Sequence, residues 1–223
     1  ENIRYIHEGG NITTSYNTTG TRELNIKLTL PGEFSVYNSL CAIAVSEHFN
    51  VDDKLLLDAL YNTRVAGRVE PVKVSDDFIV MIDYAHNAMS LESLLSTLRE
   101  YNPNRIVCLF GCGGNRSKLR RFEMGEVSGR MADLTIITSD NPRDEDPALI
   151  MQDIETGIKK TSGSYVMIED RGEAVKYAIE HGEKGDIIVL AGKGHEDYQE
   201  IKGVRYHQTD KELVQKAMED LAR

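Results

Sequence analysis

From about residue 70 the chain alternates between two hydrophobic spacings. Continuous apolar runs occupy residues 78–82, 106–110, 134–138, 165–168 and 187–191. Between them lie segments at 90–99, 122–131, 147–159 and 173–180 in which apolar residues recur every three or four positions. Short continuous runs suit strands buried on both faces, and the longer period suits helices that cover them. The expected fold class is therefore α/β: a Rossmann-like, mostly parallel sheet with helices on both faces. A last helix is expected over 210–221.

The first 69 residues follow another pattern. Leu24, Ile26, Leu28 and Leu30 alternate with polar neighbours, the period of a half-buried strand, and Pro31-Gly32 ends it. A helix is expected over 36–49, where Leu40, Ile43, Ala44 and Glu47 fall about a turn apart. Asp52 has the position of an N-cap for another helix through Leu55, Leu56, Ala59 and Leu60. One strand region and two helices make a poor domain alone. Residues 1–69 are expected to be the tail of a domain whose larger part lies outside this sequence, and residues 70–223 a second domain.

Polar clusters follow the apolar runs. They are Asp83-Tyr84-Ala85-His86-Asn87, then Gly111-Cys112-Gly113-Gly114-Asn115-Arg116, then Ser139-Asp140-Asn141-Pro142-Arg143, Asp170-Arg171, and Gly192-Lys193-Gly194-His195-Glu196. In a parallel sheet these strand ends share one edge, where open α/β folds bind ligands. Each cluster alone has a plainer reading. The glycines could make a tight turn, Asp140 to Arg143 an Asx-Pro turn, Asp83 a helix cap, and His86 a surface histidine. Together on one edge they imply a site. No G-x-x-x-x-G-K-[ST] phosphate loop occurs in the chain.

The formal net charge of −10 argues against a nucleic-acid partner, which needs clustered Lys and Arg on one face. It leaves room for a small anion held by a few arginines. The three cysteines, Cys41, Cys108 and Cys112, give neither a disulfide framework nor a zinc ribbon. All three are expected to be reduced and mostly buried. The N-terminus has no apolar signal region and no run reaches membrane-spanning length, so the cytosol is the expected location, without membrane insertion.

Five motifs in order, Gly67-Arg68-Val69-Glu70, Asp83-Tyr84-Ala85-His86, Gly111 to Arg116, Asp140-Asn141-Pro142-Arg143 and Gly192 to Glu196, resemble the Mur ligase family, in its diaminopimelate-adding branch. The resemblance covers nearly the whole chain. Asn87-Ala88-Met89, Asn115 and Ser117 within Asn115-Arg116-Ser117-Lys118, and Arg120-Arg121-Phe122 depart from the family's usual residues.

The resemblance implies a three-domain ligase. Residues 1–69 would be the C-terminal end of the central ATPase domain, and 70–223 the C-terminal amino-acid-binding domain. It implies ATP and Mg2+ as cofactors, with the metal ligands and phosphate loop outside this sequence and no catalytic residue assigned within it. The reaction implied is amide formation through an acyl phosphate, with meso-diaminopimelate joined to a UDP-muramyl dipeptide. Arg68, Asp83, Tyr84 and His86 match nucleotide-side positions. Arg116, Asp140, Asn141, Pro142, Arg143, Gly192 and Glu196 match the amino-acid pocket. A lysine-adding or folylpolyglutamate synthetase-like ligase, and a non-catalytic nucleotide- or amino-acid-binding module, remain alternatives at this point.

Overall fold

The computed structural model describes residues 1–8 and 11–222. The N-terminal part is a three-stranded antiparallel sheet of β1 (Arg4–Glu8), β2 (Asn11–Asn17) and β3 (Asn25–Leu28), followed by α1 (Glu33–His48) and α2 (Asp53–Asn62). In β3 the expected alternation holds: Ile26 and Leu28 face inward and Asn25 and Lys27 outward. Strand β2 was not legible because a polar residue takes an inward position. Ile12, Thr14 and Tyr16 are buried, and the Thr14 hydroxyl hydrogen-bonds the Tyr101 hydroxyl at 2.7 Å.

Helix α1 corrects two expectations. It buries Ser35, Val36, Ser39, Ile43 and Ser46, while Leu40 and Ala44 lie exposed beside Phe34, Tyr37 and Val45. Its serines turn inward because each bonds a carbonyl one turn back, Ser39 to Val36 at 2.8 Å and Ser46 to Ile43 at 2.7 Å. Cys41 shares the outer side and is exposed, contrary to the expected burial of all three thiols.

The second part is a six-stranded sheet in the order β4-β5-β9-β6-β7-β8. Strand β4 (Glu70–Val72) is an antiparallel edge. Strands β5 (Ile79–Asp83), β6 (Ile106–Phe110), β7 (Leu134–Ile137), β8 (Tyr165–Met167) and β9 (Ile187–Ala191) are mutually parallel. Successive strand residues serve opposite faces. Ile79, Met81, Cys108, Phe110 and Val189 pack under α3 (Ala88–Arg99), α4 (Lys118–Met131) and α5 (Pro147–Ile158). Val80, Ile82, Leu109, Ile188 and Leu190 pack under α6 (Arg171–Glu180) and α7 (Asp210–Leu221). Helix α5 begins at Pro147 as expected, whereas α3, α4 and α6 begin earlier than the apolar period alone indicates, α3 and α6 because polar caps start them. Asn87 and Ser90 form a capping box on α3, and the Asp146 and Asp170 side chains cap α5 and α6.

A hairpin of β10 (Tyr198–Ile201) and β11 (Val204–His207) was not expected. It carries no inward–outward alternation: β10 is half-buried throughout and β11 exposed throughout.

An ion pair joins the helices of one face to the sheet. Arg171 and Asp210 are both buried, with Nε donating to Oδ1 at 2.7 Å and Nη2 to Oδ2 at 2.8 Å. Nη2 also reaches the Ala191 carbonyl at the end of β9, at 3.2 Å. Removing one partner strands the other charge in the core, a loss of about 3–5 kcal/mol. Asp210→Ala is expected to lower the unfolding free energy by about that much, measured by urea titration.

Candidate functional site

The edge formed by the parallel strands' carboxyl ends is held by backbone hydrogen bonds between loops. Thr138 N–H donates to Phe110 O at 3.0 Å, Gly114 N–H to Asn141 O at 2.8 Å, and Gly192 N–H to Asp83 O at 3.0 Å. The hairpin joins the same set. Arg143 N–H donates to Glu200 O at 3.0 Å and Lys202 N–H to Arg143 O at 2.8 Å, which holds Arg143 at φ 52°. The loops meet closely where glycine allows it: a Cβ on Gly114 would stand 1.9 Å from Pro142 O. This packing brings four of the five sequence clusters around one opening, while Asp170-Arg171 lines a second cavity beside it.

That opening is a cavity of about 330 Å³, near the lower end of small-molecule sites. Tyr84, His86, Arg116, Asp140, Asn141, Arg143, Gly192 and Glu196 line it, as the strand-end clusters anticipated. Gly111, Cys112, Gly113 and Arg120 also line it. The glycines and Cys112 belong to a cluster already singled out, whereas Arg120 carried no separate signal. Pro142 turns elsewhere, into a different cavity beside Asp144 and Glu169. Arg68 and Asp83 lie outside the wall of the 330 Å³ cavity.

Opposite charges line the same cavity. The Glu196 carboxylate accepts the Asn141 Nδ2 at 3.0 Å on one oxygen and the Tyr84 hydroxyl at 3.3 Å on the other. Arg143 Nη1 donates to Gly114 O at 2.8 Å, and its Nε lies 3.4 Å from a Glu200 carboxylate oxygen. Gly113 sits between the two arginines: a Cβ there would stand 2.9 Å from Arg143 Nη1 and 3.9 Å from Arg116 Cγ. A guanidinium pair and a carboxylate lining one cavity suit a ligand group carrying both charges, since planar forks match carboxylates and a carboxylate takes an ammonium. Burial pushes the Cys112 thiol up to about 12, so it meets the cavity as a neutral group.

The nucleotide-side candidates form a neighbouring cluster. The Arg68 guanidinium lies 5.0 Å from the centre of the Tyr84 ring, a cation–π contact, and Tyr84 meets His86 edge-on at 4.8 Å. His195, part of the last cluster but not selected on its own, flanks Tyr84 at 5.2 Å. Gly67 and Gly194, both at positive φ, bring Arg68 here. A Cβ on Gly67 would lie 2.3 Å from His195 N. Asp83 has a structural duty: its oxygens accept Val69 N–H at 2.9 Å and Ala85 N–H at 2.8 Å, tying the segment before β4 to the end of β5. Tyr84 bridges the two groups, because its ring supports Arg68 while its hydroxyl reaches Glu196. Burial, with Glu196 nearby, raises its phenol above the ordinary value.

Among the described residues no group of His, Cys, Asp and Glu is arranged to hold a metal ion, and no helix is long and apolar enough to cross a membrane.

Comparison with known proteins gives a consistent set of relatives. The family described as "Mur ligase, glutamate ligase domain" matches residues 67–194. The UDP-N-acetylmuramoyl-L-alanyl-D-glutamate–2,6-diaminopimelate ligase of Caldanaerobacter subterraneus subsp. tengcongensis is 49% identical over 176 residues, covering 79% of this chain and 36% of that protein. Ligase 1 of the same name from Clostridium acetobutylicum is 39% identical over 224 residues, covering 99% of this chain and 45% of its own. A solved diaminopimelate ligase structure superposes with a TM-score of 0.75 at 33% identity, over 99% of this chain and 45% of that one. Folylpolyglutamate synthase of Thermotoga maritima, with a TM-score of 0.62 at 21% identity over 84% of this chain and 42% of its own, shares the fold. The chain thus spans less than half the length of these relatives.

Asp83 makes the site sensitive to pH in one direction. Burial holds its carboxyl above the usual value, against the two N–H donors that pull it down. The folded state therefore binds this proton more tightly than the unfolded state. Stability from this group falls as pH rises from the ordinary carboxylate value through the raised one, then stays level. The unfolding free energy of wild type minus that of Asp83→Asn should decline across that window, as read by denaturant titrations at a series of acidic pH values.

Proposed function

The chain belongs to the Mur ligase family, and on that premise we propose that its full-length protein is an ATP-dependent amide ligase. It joins meso-diaminopimelate to UDP-N-acetylmuramoyl-L-Ala-D-Glu in cell-wall precursor synthesis. The observation that carries this reading is the cavity that Arg116 and Arg143 line together with Glu196 and Asn141. The similarity to relatives bearing the diaminopimelate ligase name supports it.

The geometry fits one end of the amino acid. Meso-diaminopimelate keeps an intact ammonium and carboxylate at the end remote from the reacting amine. Arg143, anchored at Gly114 and Glu200, takes the carboxylate with Arg116, and Glu196 takes the ammonium. Lysine offers only an ammonium there. It would meet two guanidinium groups with no carboxylate to offset them, so repulsion excludes it.

Arg68, Tyr84 and His86 fit the nucleotide: a cation on an aromatic surface offers charge for phosphate and a face for a base. When bound, ATP supplies the phosphoryl group that activates the dipeptide carboxylate. Asp83 holds the Arg68 segment in place, and each of its oxygens keeps a further lone pair for a ribose hydroxyl. Magnesium ligands belong, in this reading, to the part of the protein outside this chain. Residues 1–69 then form the end of the central ATPase domain. The exposed apolar side of α1, with Phe34, Tyr37, Leu40 and Val45, supports that assignment as a surface shaped for further packing.

The full-length protein is expected to release ADP only with both the UDP-muramyl dipeptide and meso-diaminopimelate present; no release with these substrates would overturn the reading. In that protein Arg143→Ala should raise the KM for diaminopimelate about ten- to a hundredfold, from the roughly 1.5–3 kcal/mol of a charge-assisted bond. The KM for ATP should change little. Steady-state kinetics with each substrate varied in turn checks both.

A further inference from the structure

Lys193 is fully buried and does not line the 330 Å³ cavity, yet its ammonium touches the elements that do. It lies 3.3 Å from Asp140 Oδ1, an ion contact whose angles fall short of a hydrogen bond. It donates to Asn141 Oδ1 at 3.4 Å and to the Tyr198 carbonyl on β10 at 2.5 Å. A lysine without solvent is costly unless paired and bonded, and here every partner belongs to the 140–143 loop or to the hairpin that clamps it.

We propose that Lys193 is a positioning residue of the amino-acid site: from outside the cavity's lining it fixes the Asn141 amide, and through it the Glu196 carboxylate. A side-chain amide has an accepting and a donating end of nearly the same shape, and only its partners decide which way it faces. Asn141 Oδ1 has two donors, Lys193 Nζ and the Glu200 N–H at 2.9 Å. A reversed amide would set its NH2 against both. The oxygen therefore stays on the Lys193 side, and Nδ2 points to Glu196. The Tyr84 hydroxyl takes the other Glu196 oxygen, so the carboxylate is held at both ends. Lys193 also offsets Asp140, which otherwise would stand as a second, unpaired carboxylate beside the same wall.

The consequence concerns the ammonium end of the ligand. This inference rests on the functional reading above, in which Glu196 receives the distal ammonium of diaminopimelate. A substrate that lacks this ammonium gains nothing from an oriented Glu196. 2-Aminopimelate is such a compound: it keeps the reacting amine and both carboxylates.

The experiment uses the full-length enzyme with Lys193→Met, and Lys193→Gln as a second variant that keeps a donor without the charge. Steady-state ADP release is measured with diaminopimelate and with 2-aminopimelate, and thermal unfolding is followed in parallel. The wild type should prefer diaminopimelate. Lys193→Met should cut that preference about tenfold, the size expected when a bond to a charged group loses its geometry. The loss should fall more on the KM for diaminopimelate than on that for 2-aminopimelate, while the KM for ATP holds nearly constant; Lys193→Gln should lie between. Equal losses for both amino acids, or no change in preference, would overturn the inference while leaving the ligase assignment standing. Failure of both variants to fold would also overturn it, assigning Lys193 to stability alone. A wild type that uses neither amino acid would remove the functional reading and this inference with it.

Discussion

The site depends on a constraint that begins where the parallel strands stop. Each strand end leaves N–H and C=O groups pointing past the sheet, and buried backbone groups must find partners. Here neighbouring loops supply them: Phe110 accepts from Thr138, Asn141 from Gly114, Asp83 from Gly192, and Glu200 from Arg143. The ladder continues beyond the last strand residues as contacts between loops. Because the loops are fixed to one another, their side chains surround a common space. The glycines matter mainly for this approach, since Gly114 leaves no room for a Cβ against the Pro142 carbonyl.

The protein carries a net charge of −10, yet its interior cations are matched individually. Arg171 pairs with Asp210, and Lys193 lies against Asp140. Arg121, also buried, donates to Glu145 and to Asp153, both at 2.9 Å from Nη1, and so joins α4 to α5 and the loop before it. Glu145 in turn accepts the Asn115 N–H of the glycine-rich loop. Breaking such pairs is costly because the remaining charge has no water to turn to. At the cavity Arg143 is held against Glu200 and the Gly114 carbonyl, and Arg116 lines the opening beside it.

The parts of the fold visible in the sequence were those in which burial wrote a clear period. Strands β5, β6, β7 and β9 read as continuous apolar runs because helices cover both sheet faces. Strand β2 stayed hidden behind inward Thr14, and the hairpin behind strands with no buried face. In α1 the inward serines satisfy themselves on their own helix, so polarity gave no sign of burial. At the site, position after a strand predicted most lining residues but not the direction of each side chain. Pro142 and Arg143 are adjacent in sequence, but Pro142 lines only the second cavity, and Asp83 turns to the backbone of Val69 and Ala85. The role of Lys193 was equally illegible, because its meaning comes from partners on two other segments.

The unequal placement of the three thiols turns the chain into its own reporter. Cys108 and Cys112 are buried and pushed up to about 12, so near neutral pH both are shielded and almost wholly protonated. Cys41 stands exposed on α1, among apolar side chains. An alkylating fluorophore would therefore settle on a single carbon-rich surface remote in sequence from the cavity loops. Its emission would record whether that surface of the chain faces water or packed side chains.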